Sequence, residues 1–132
     1  MSEVYDLSGH YMKEGKMSEV YNSILLDLKK LNGVKMIALA GRDGYLIGEH
    51  ASEGMETLTL MSATMLRAAE NVTNKLEKVN PNRVIVDYEG GKLITTSAGS
   101  KALISVMAEQ DASIDPIIKE IEKTASKIKE II

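Results

Sequence analysis

The sequence contains no cysteine, phenylalanine or tryptophan, and its large aromatic residues are five tyrosines. Without cysteine the chain forms neither disulfides nor thiolate metal sites, an absence that favours a reducing, cytoplasmic location. The core must therefore be built from Ile, Leu, Val, Met and Ala. Because no apolar stretch approaches the roughly 20 residues that cross a bilayer, we expect no membrane insertion.

The charge is also low and slightly negative. The formal net charge is -3 at pH 7 and the isoelectric point is near 5.4. Proteins that bind nucleic acid as their main partner need clustered Lys and Arg to neutralise phosphates, so we expect no nucleic-acid partner. A length of 132 residues suits one domain with a substantial core but is short for two.

The pentapeptide MSEVY occurs twice, at residues 1–5 and 17–21. A repeat this short is not a structural unit of a repeat protein. We interpret residues 1–16 as a poorly ordered N-terminal extension and residues 17–132 as the folded domain.

Apolar periodicity and turn signals predict three helices and five strands in the order α-β-β-α-β-β-β-α. Short loops between successive strands make them antiparallel neighbours. Several strands are apolar at consecutive positions and therefore need cover on both faces. The predicted fold is an α/β (α+β) three-layer α/β/α sandwich around a five-stranded antiparallel sheet. The helices are expected at residues 18–31, at 55–79 and after a cap at Ser113 or Asp115, and the strands at 34–40, 45–49, 83–89, 92–97 and 102–108.

The helix predicted at residues 55–79 has more apolar residues than one buried face needs. At 100° per residue, a wide stripe around Leu58 is expected to cover the sheet. Other apolar or small residues lie beside or beyond that stripe, where they either widen it or form a subunit interface. The stripe comprises Met61, Met65, Ala68, Val72, Leu76 and Val79, and the remaining residues are Leu60, Ser62, Ala63, Leu66, Ala69 and Thr73.

Few residues suggest chemistry. The GRDG sequence at residues 41–44 joins two predicted strands, whereas a phosphate-binding loop leads from a strand into a helix, so we interpret it as a hairpin turn. His10 and His50 belong to no triad or metal-binding pair, and Asp87 and Glu89 are expected to be solvated at a strand end. The sequence therefore predicts no catalytic residue, no metal site, no cofactor and no enzymatic activity.

The strand predicted at residues 83–89 is long and apolar, and it lacks the proline or central lysine that discourages pairing at a sheet edge. If this strand lies at the edge, its composition and the surplus residues of the long helix together favour a symmetric homodimer.

Residues 17–132 resemble the Roadblock (dynein light-chain) domain family, which includes bacterial and archaeal regulators of Ras-like GTPases. The resemblance implies a Roadblock/profilin-like fold. Three segments of this chain are similar to the family's first helix and hairpin, to its second helix and to its three-strand meander. These segments are ILLDLKKLNGVKMIALAGRDGYLIGEH, LTLMSATMLRAAENV and RVIVDYEGGKLITTSAGSKALISVMAEQDASI.

The resemblance further implies a homodimer whose sheets join edge to edge and whose long helices lie side by side. The expected dimer contacts are Ser62, Leu66, Ala69, Thr73, Val84, Ile85, Val86 and Asp87. In regulatory family members the paired helices dock the GTPase through shape rather than through a catalytic side chain. Carried onto this chain, that surface comprises Thr59, Leu60, Ala63, Leu66, Arg67 and Glu70.

We therefore predict a non-enzymatic, homodimeric adaptor that binds a small Ras-like GTPase and modulates its nucleotide cycle. One alternative is a structural dimerisation or scaffold subunit of a larger complex. Another is a small-ligand sensor, which would need a pocket lined by convergent polar groups.

Overall fold

The computed structural model describes residues 3–5, 11–48 and 53–132. His10, His50 and Glu49, which ends the predicted second strand, lie outside these residues. In chain order the elements are β1 (Glu3–Tyr5), β2 (Tyr11–Lys13), α1 (Glu14–Lys29), β3 (Val34–Gly41), α2 (Met55–Glu77), β4 (Val84–Tyr88), β5 (Gly91–Ser97), β6 (Ala102–Glu109) and α3 (Ile114–Ile131).

The main sheet has four antiparallel strands in the order β3-β6-β5-β4, and β1 and β2 form a separate two-stranded antiparallel sheet. Four of the predicted strands are confirmed as β3, β4, β5 and β6. Strand β4 lies at one edge of the sheet, which is the position that the dimer hypothesis requires. Helix α1 begins at Glu14, before the predicted domain boundary at residue 17. The division of the chain at that boundary stays a prediction.

The prediction of a fifth strand at residues 45–49 is wrong. After the turn, the chain pairs with β3 only through a single bridge between Ala40 and Leu46. The Ile47 amide donates to the Leu39 carbonyl at 2.8 Å, and then Gly48 adopts a φ of 91°. A left-handed residue turns the backbone away from the extended conformation, so the pairing stops before it forms a strand.

Helices α1 and α3 cover one face of the sheet. Alternate residues of β3, β5 and β6 point into this layer, including Ile37, Ile94 and Ile104. They meet Leu28 of α1 and Ile121 of α3, and this cluster is the larger part of the core. Burial in this layer also raises the pKa of the Tyr21 phenol, because desolvation disfavours the phenolate.

Helix α2 covers the opposite face, where the intervening strand residues point. Ala38 packs with Met55 and Leu58 near the start of α2, and Ala40 packs with Leu66 further along. Both faces of the sheet are thus covered, which explains why β3 and β6 are apolar at consecutive positions. The structure has the three predicted layers, with four strands in the middle layer instead of five.

Candidate protein-interaction surface

Half of the buried side chains of α2 are short, and these are Thr59, Ser62 and Ala63. Its buried residues are Met55, Leu58, Thr59, Ser62, Ala63 and Leu66. They face a part of the sheet that is also built from short residues, because Ala38, Ser105 and Thr95 are cross-strand partners on that face. Thr95 and Ser105 share a hydroxyl–hydroxyl hydrogen bond of 3.0 Å beneath the helix. Short side chains on both surfaces let the helix lie close to the sheet.

The stripe of α2 residues that was predicted to cover the sheet does not face the sheet, except at Leu58. That prediction is therefore wrong for the other residues of the stripe. Most of its members are solvent-accessible on one side of α2 and just beyond its C-terminal end. Val72 is 56% exposed and Leu76 is 75% exposed. We call these residues the apolar flank; they are Met61, Met65, Ala68, Val72, Leu76 and Val79.

The apolar flank lies on the β4 side of α2. Glu70 forms an ion pair with Arg42, which follows β3 at the opposite edge of the sheet. Glu70 and Val72 are about 200° apart around the helix axis at 100° per residue. Because the Glu70 side chain points toward the β3 edge of the sheet, the side chains of Val72 and the rest of the apolar flank point toward the β4 edge.

Strand β4 adds a second open feature on this side. Within the described part of the chain, β4 pairs with β5 alone, so its outer edge carries backbone N–H and C=O groups without a strand partner. Ile85 is 43% exposed, and Val84 and Val86 are half-buried. Asp87 is exposed and lies 3.6 Å from the Lys92 ammonium on β5. Apolar helix residues and an unpaired strand edge therefore adjoin on one side of the subunit.

The structure divides the predicted dimer contacts into two groups. Val84, Ile85, Val86 and Asp87 lie on the edge strand, where a second subunit can reach them. Ser62 and Leu66 have no exposed surface, because they pack between α2 and the sheet. Ala69 and Thr73 lie at the border between the buried side of α2 and the apolar flank.

The predicted GTPase-binding residues also divide. Thr59 and Leu66 have no exposed surface and Ala63 is only 4% exposed, so these side chains offer little to a protein partner. Leu60, at 44% exposure, and Arg67 point to solvent on the outward side of α2. Glu70 is half-buried and engaged with Arg42.

The loop at residues 41–44 is a turn, as predicted. The Gly44 amide donates to the Gly41 carbonyl at 2.9 Å, and the Asp43 carboxylate accepts from the Tyr45 amide at 3.0 Å. Gly44 has a φ of 91° and presses against α2, where an added Cβ would come within 2.9 Å of a Leu60 methyl group. The loop thus uses its polar groups internally and fixes the position of the α2 N-terminal half.

The part of the chain that the structure describes offers little for chemistry at this surface. In residues 3–5, 11–48 and 53–132, no three His, Cys, Asp or Glu side chains are grouped as metal ligands would be. Every helix of the described part is too short or too polar to span a membrane. The accessible features of this surface are shape, apolar area and an open strand edge, which are features of protein–protein contact.

Comparison with known proteins gives relatives and structures of the same fold. The chain is 24% identical over 115 residues to the uncharacterised protein MJ0714 of Methanocaldococcus jannaschii, covering 86% of this chain and 97% of that protein. A Roadblock/LC7 domain structure from Streptomyces avermitilis superposes with a TM-score of 0.76 at 13% identity, covering 83% of this chain and 94% of that one. The gliding protein MglB of Thermus thermophilus gives a TM-score of 0.76 at 16% identity, covering 86% of this chain and 89% of the other.

The family model for the Roadblock/LC7 domain matches residues 20–108, which run from α1 through β6 and include α2 and the edge strand β4. The match takes in about two thirds of the chain. The protein belongs to the Roadblock/LC7 domain family.

Proposed function

We propose that this protein is a non-enzymatic, homodimeric adaptor of the cytoplasm that binds a small Ras-like GTPase and modulates its nucleotide cycle. The observation that carries the proposal is the apolar flank of α2 beside the open edge of β4. Family membership supports it, because regulators of Ras-like GTPases are among the members that the sequence resembles.

In the proposed dimer, two β4 strands pair across a two-fold axis. Each edge then supplies the hydrogen-bond partners that the other lacks, and the two four-stranded sheets become one continuous sheet. Val84, Ile85, Val86 and Asp87 line this contact. Pairing of the two edges brings the apolar flanks of the two α2 helices together on the same face.

Burial of the apolar flank supplies the main driving force. Fully burying one Val, Leu or Met side chain contributes about 1.5–3 kcal/mol. Met61, Met65, Val72 and Leu76 are the large residues that each subunit would contribute. The proposal accordingly places these residues in the helix–helix contact, with Ala69 and Thr73 at its border. Ser62 and Leu66 instead serve the core of the subunit.

The GTPase would dock on the outward side of the paired helices. Leu60 and Arg67 offer an apolar and a cationic contact there, and Glu70 lies at its margin. A surface of this kind acts by contacting the switch loops of the GTPase more favourably in one nucleotide state than in the other. The chain contributes shape and charge to the nucleotide cycle and no reacting group.

Light scattering after gel filtration tests the dimer. The wild-type protein is expected to have twice the 14.4 kDa chain mass. Val72→Arg is expected to give a folded monomer, because it places a charge of the same sign on each side of the two-fold axis. Asn71→Arg is the matched control, since its exposed side chain points about 100° away from that of Val72 and should leave the dimer intact.

A wild-type mass of one chain at high protein concentration would contradict the dimer. So would a Val72→Arg variant that keeps the mass of two chains.

Binding to a Ras-like GTPase from the same organism tests the adaptor role. The dimer is expected to bind the GTPase loaded with a non-hydrolysable GTP analogue or with GDP, with different affinities, as measured by calorimetry. A variant with Leu60→Glu and Arg67→Glu should remain dimeric and lose binding. Lys127→Glu, an exposed charge reversal on α3, is the control that should retain it.

A dimer that binds no Ras-like GTPase of its organism in either nucleotide state would favour the alternative of a structural dimerisation subunit. Equal affinity for the two nucleotide states would also contradict the proposed regulation, because a ligand with no preference shifts no equilibrium.

A further inference from the structure

A groove of about 820 Å³ lies at the end of the main sheet where β5 passes into β6. One wall is α2, the other is the C-terminal half of α3, and the floor is the turn at residues 97–100. Its volume is within the range of small-molecule sites. Arg67 and Glu70 on its α2 wall lie on the side away from the apolar flank.

Cationic side chains dominate this groove. Arg42, Arg67 and Lys129 line it together with Glu70 and Glu122. Both carboxylates are engaged, Glu70 with Arg42 and Glu122 with Arg83 at 2.6 Å. The lining thus holds three cations against two carboxylates, a surplus of one positive charge, and Arg83 adds a further cation beside it, whereas the whole chain has a net charge of -3. The groove is therefore electrostatically suited to an anion.

Arg42 is held in place before any ligand arrives, and the aliphatic stem of Lys129 passes close to the same turn. The Arg42 guanidinium pairs with Glu70 and also donates to the Gly99 carbonyl at 3.5 Å. The Lys129 stem lies along Gly99, where an added Cβ would be 3.2 Å from Lys129 Cγ. Gly99 has a φ of 80°, so a residue without a Cβ both forms this turn and admits the lysine. Positioned charges lose less entropy when a ligand binds.

The groove also contains a polar group whose bonding capacity is unused. Thr96 lines it and is 7% exposed, and its hydroxyl has no hydrogen-bond partner among the described residues. A buried hydroxyl without a partner is unfavourable, since most such groups in folded proteins are satisfied. Thr96 lines the groove beside Ser97 and Ser100, so a ligand bound there is a candidate partner for its hydroxyl.

We propose that this groove binds a small phosphate-bearing anion. The guanidinium groups of Arg42 and Arg67 match phosphate oxygens in geometry and charge, and Lys129 adds a third cation. Hydroxyl donors along the floor complete the recognition of the remaining oxygens. The site is formed within one subunit and needs no GTPase, and it shares Arg67 and Glu70 with the surface proposed above for the GTPase.

Titration of the isotopically labelled full-length protein with pyrophosphate tests the site, with backbone amide signals followed by NMR at constant ionic strength. Saturable shifts are expected at residues 96–101 and along the C-terminal half of α3. Arg67→Gln and Lys129→Gln should each weaken binding about tenfold, because each removes one charge-assisted hydrogen bond.

Lys75→Gln and Lys127→Gln are matched controls, because they neutralise exposed lysines on α2 and α3 that do not line the groove. Both should bind pyrophosphate as the wild type does. Shifts that never saturate, or that are the same in all four variants, would overturn the proposal. A parallel titration with citrate separates the ligand classes: binding as tight as that of pyrophosphate would overturn the assignment to phosphate.

Discussion

Single hydroxyl groups shape the contact between α2 and the sheet. Thr95 and Ser105 satisfy each other across neighbouring strands, whereas the Ser62 hydroxyl is buried without a hydrogen-bond partner among the described residues. These groups are small enough to let the helix approach, but each requires a partner to offset the cost of leaving water. The same residue type is therefore favourable at one position and costly at another.

Ser62→Ala is expected to raise the free energy of unfolding by about 1 kcal/mol, because an unpaired buried hydroxyl costs roughly 1–3 kcal/mol. Thr95→Val is the contrasting variant. It preserves the side-chain shape but leaves Ser105 without its 3.0 Å hydrogen bond, so it should lower the free energy of unfolding by about 1 kcal/mol. Urea unfolding at a fixed protein concentration measures both values. A Ser62→Ala variant as destabilised as Thr95→Val would show that Ser62 has a partner.

For helix α2, the sequence-based prediction was right about the extent of the helix and wrong about which of its faces is buried. Its extent was predicted within two residues at its end, since it runs from Met55 to Glu77 and Lys78 closes it in the left-handed conformation. Its rotation about its own axis was predicted wrongly, because most of the stripe expected to cover the sheet is exposed. A hydrophobic pattern gives the angles between residues of one helix, but it does not say which of two candidate stripes meets the sheet.

The turn at residues 41–44 helps to fix α2 in place. Gly44→Ala should destabilise the protein through two effects, the positive φ of 91° and a contact of about 3 Å with the Leu60 Cα and methyl group. Gly90 has a φ of 101° but open space around it, so Gly90→Ala isolates the first effect, at about 1–2 kcal/mol. Gly44→Ala is expected to cost roughly 1–3 kcal/mol more.

Thermal unfolding of both variants, compared with the wild type, measures the difference. Equal losses of stability in the two variants would mean that the turn does not press on α2.

At the scale of the whole molecule, the described residues leave apolar area and a strand edge uncovered on one side of the subunit. Large apolar residues are ordinary on a protein surface when they are scattered, whereas a contiguous row beside an unpaired edge indicates an interaction site. The groove between α2 and α3 is polar instead of apolar, with charged side chains and hydroxyl groups at the end of the sheet. One small domain thus presents two separate surfaces, suited to a second subunit and to a small anion.

Dimerisation predicts a melting temperature that depends on protein concentration. Raising the concentration about 100-fold stabilises a dimer that unfolds to monomers by about 2.7 kcal/mol through mass action, so the melting temperature should rise by several degrees. The Val72→Arg variant should melt at a temperature independent of concentration. Differential scanning calorimetry at both concentrations checks this, and a concentration-independent wild type would contradict the dimer.

The sequence alone was sufficient for the local features of this protein. The periodicity of apolar residues located α2 and α3, the Asp43-Gly44 pair identified the turn, and runs of apolar residues indicated a sheet covered on both faces. The short connections between β4, β5 and β6 indicated that these strands are antiparallel neighbours. These features depend on neighbouring residues in the chain, and local propensity and turn chemistry are determined by such neighbours.

Only the tertiary structure decided which surfaces remain open. The short residues Ala38, Thr95 and Ser105 come from three strands and together select the small-residue side of α2 as its buried side. That choice exposes the apolar flank and hides Ser62 and Leu66. The groove likewise gathers Arg42, Arg67 and Lys129 from distant parts of the chain. Because a surface is defined by packing between elements, no pattern within one element specifies it.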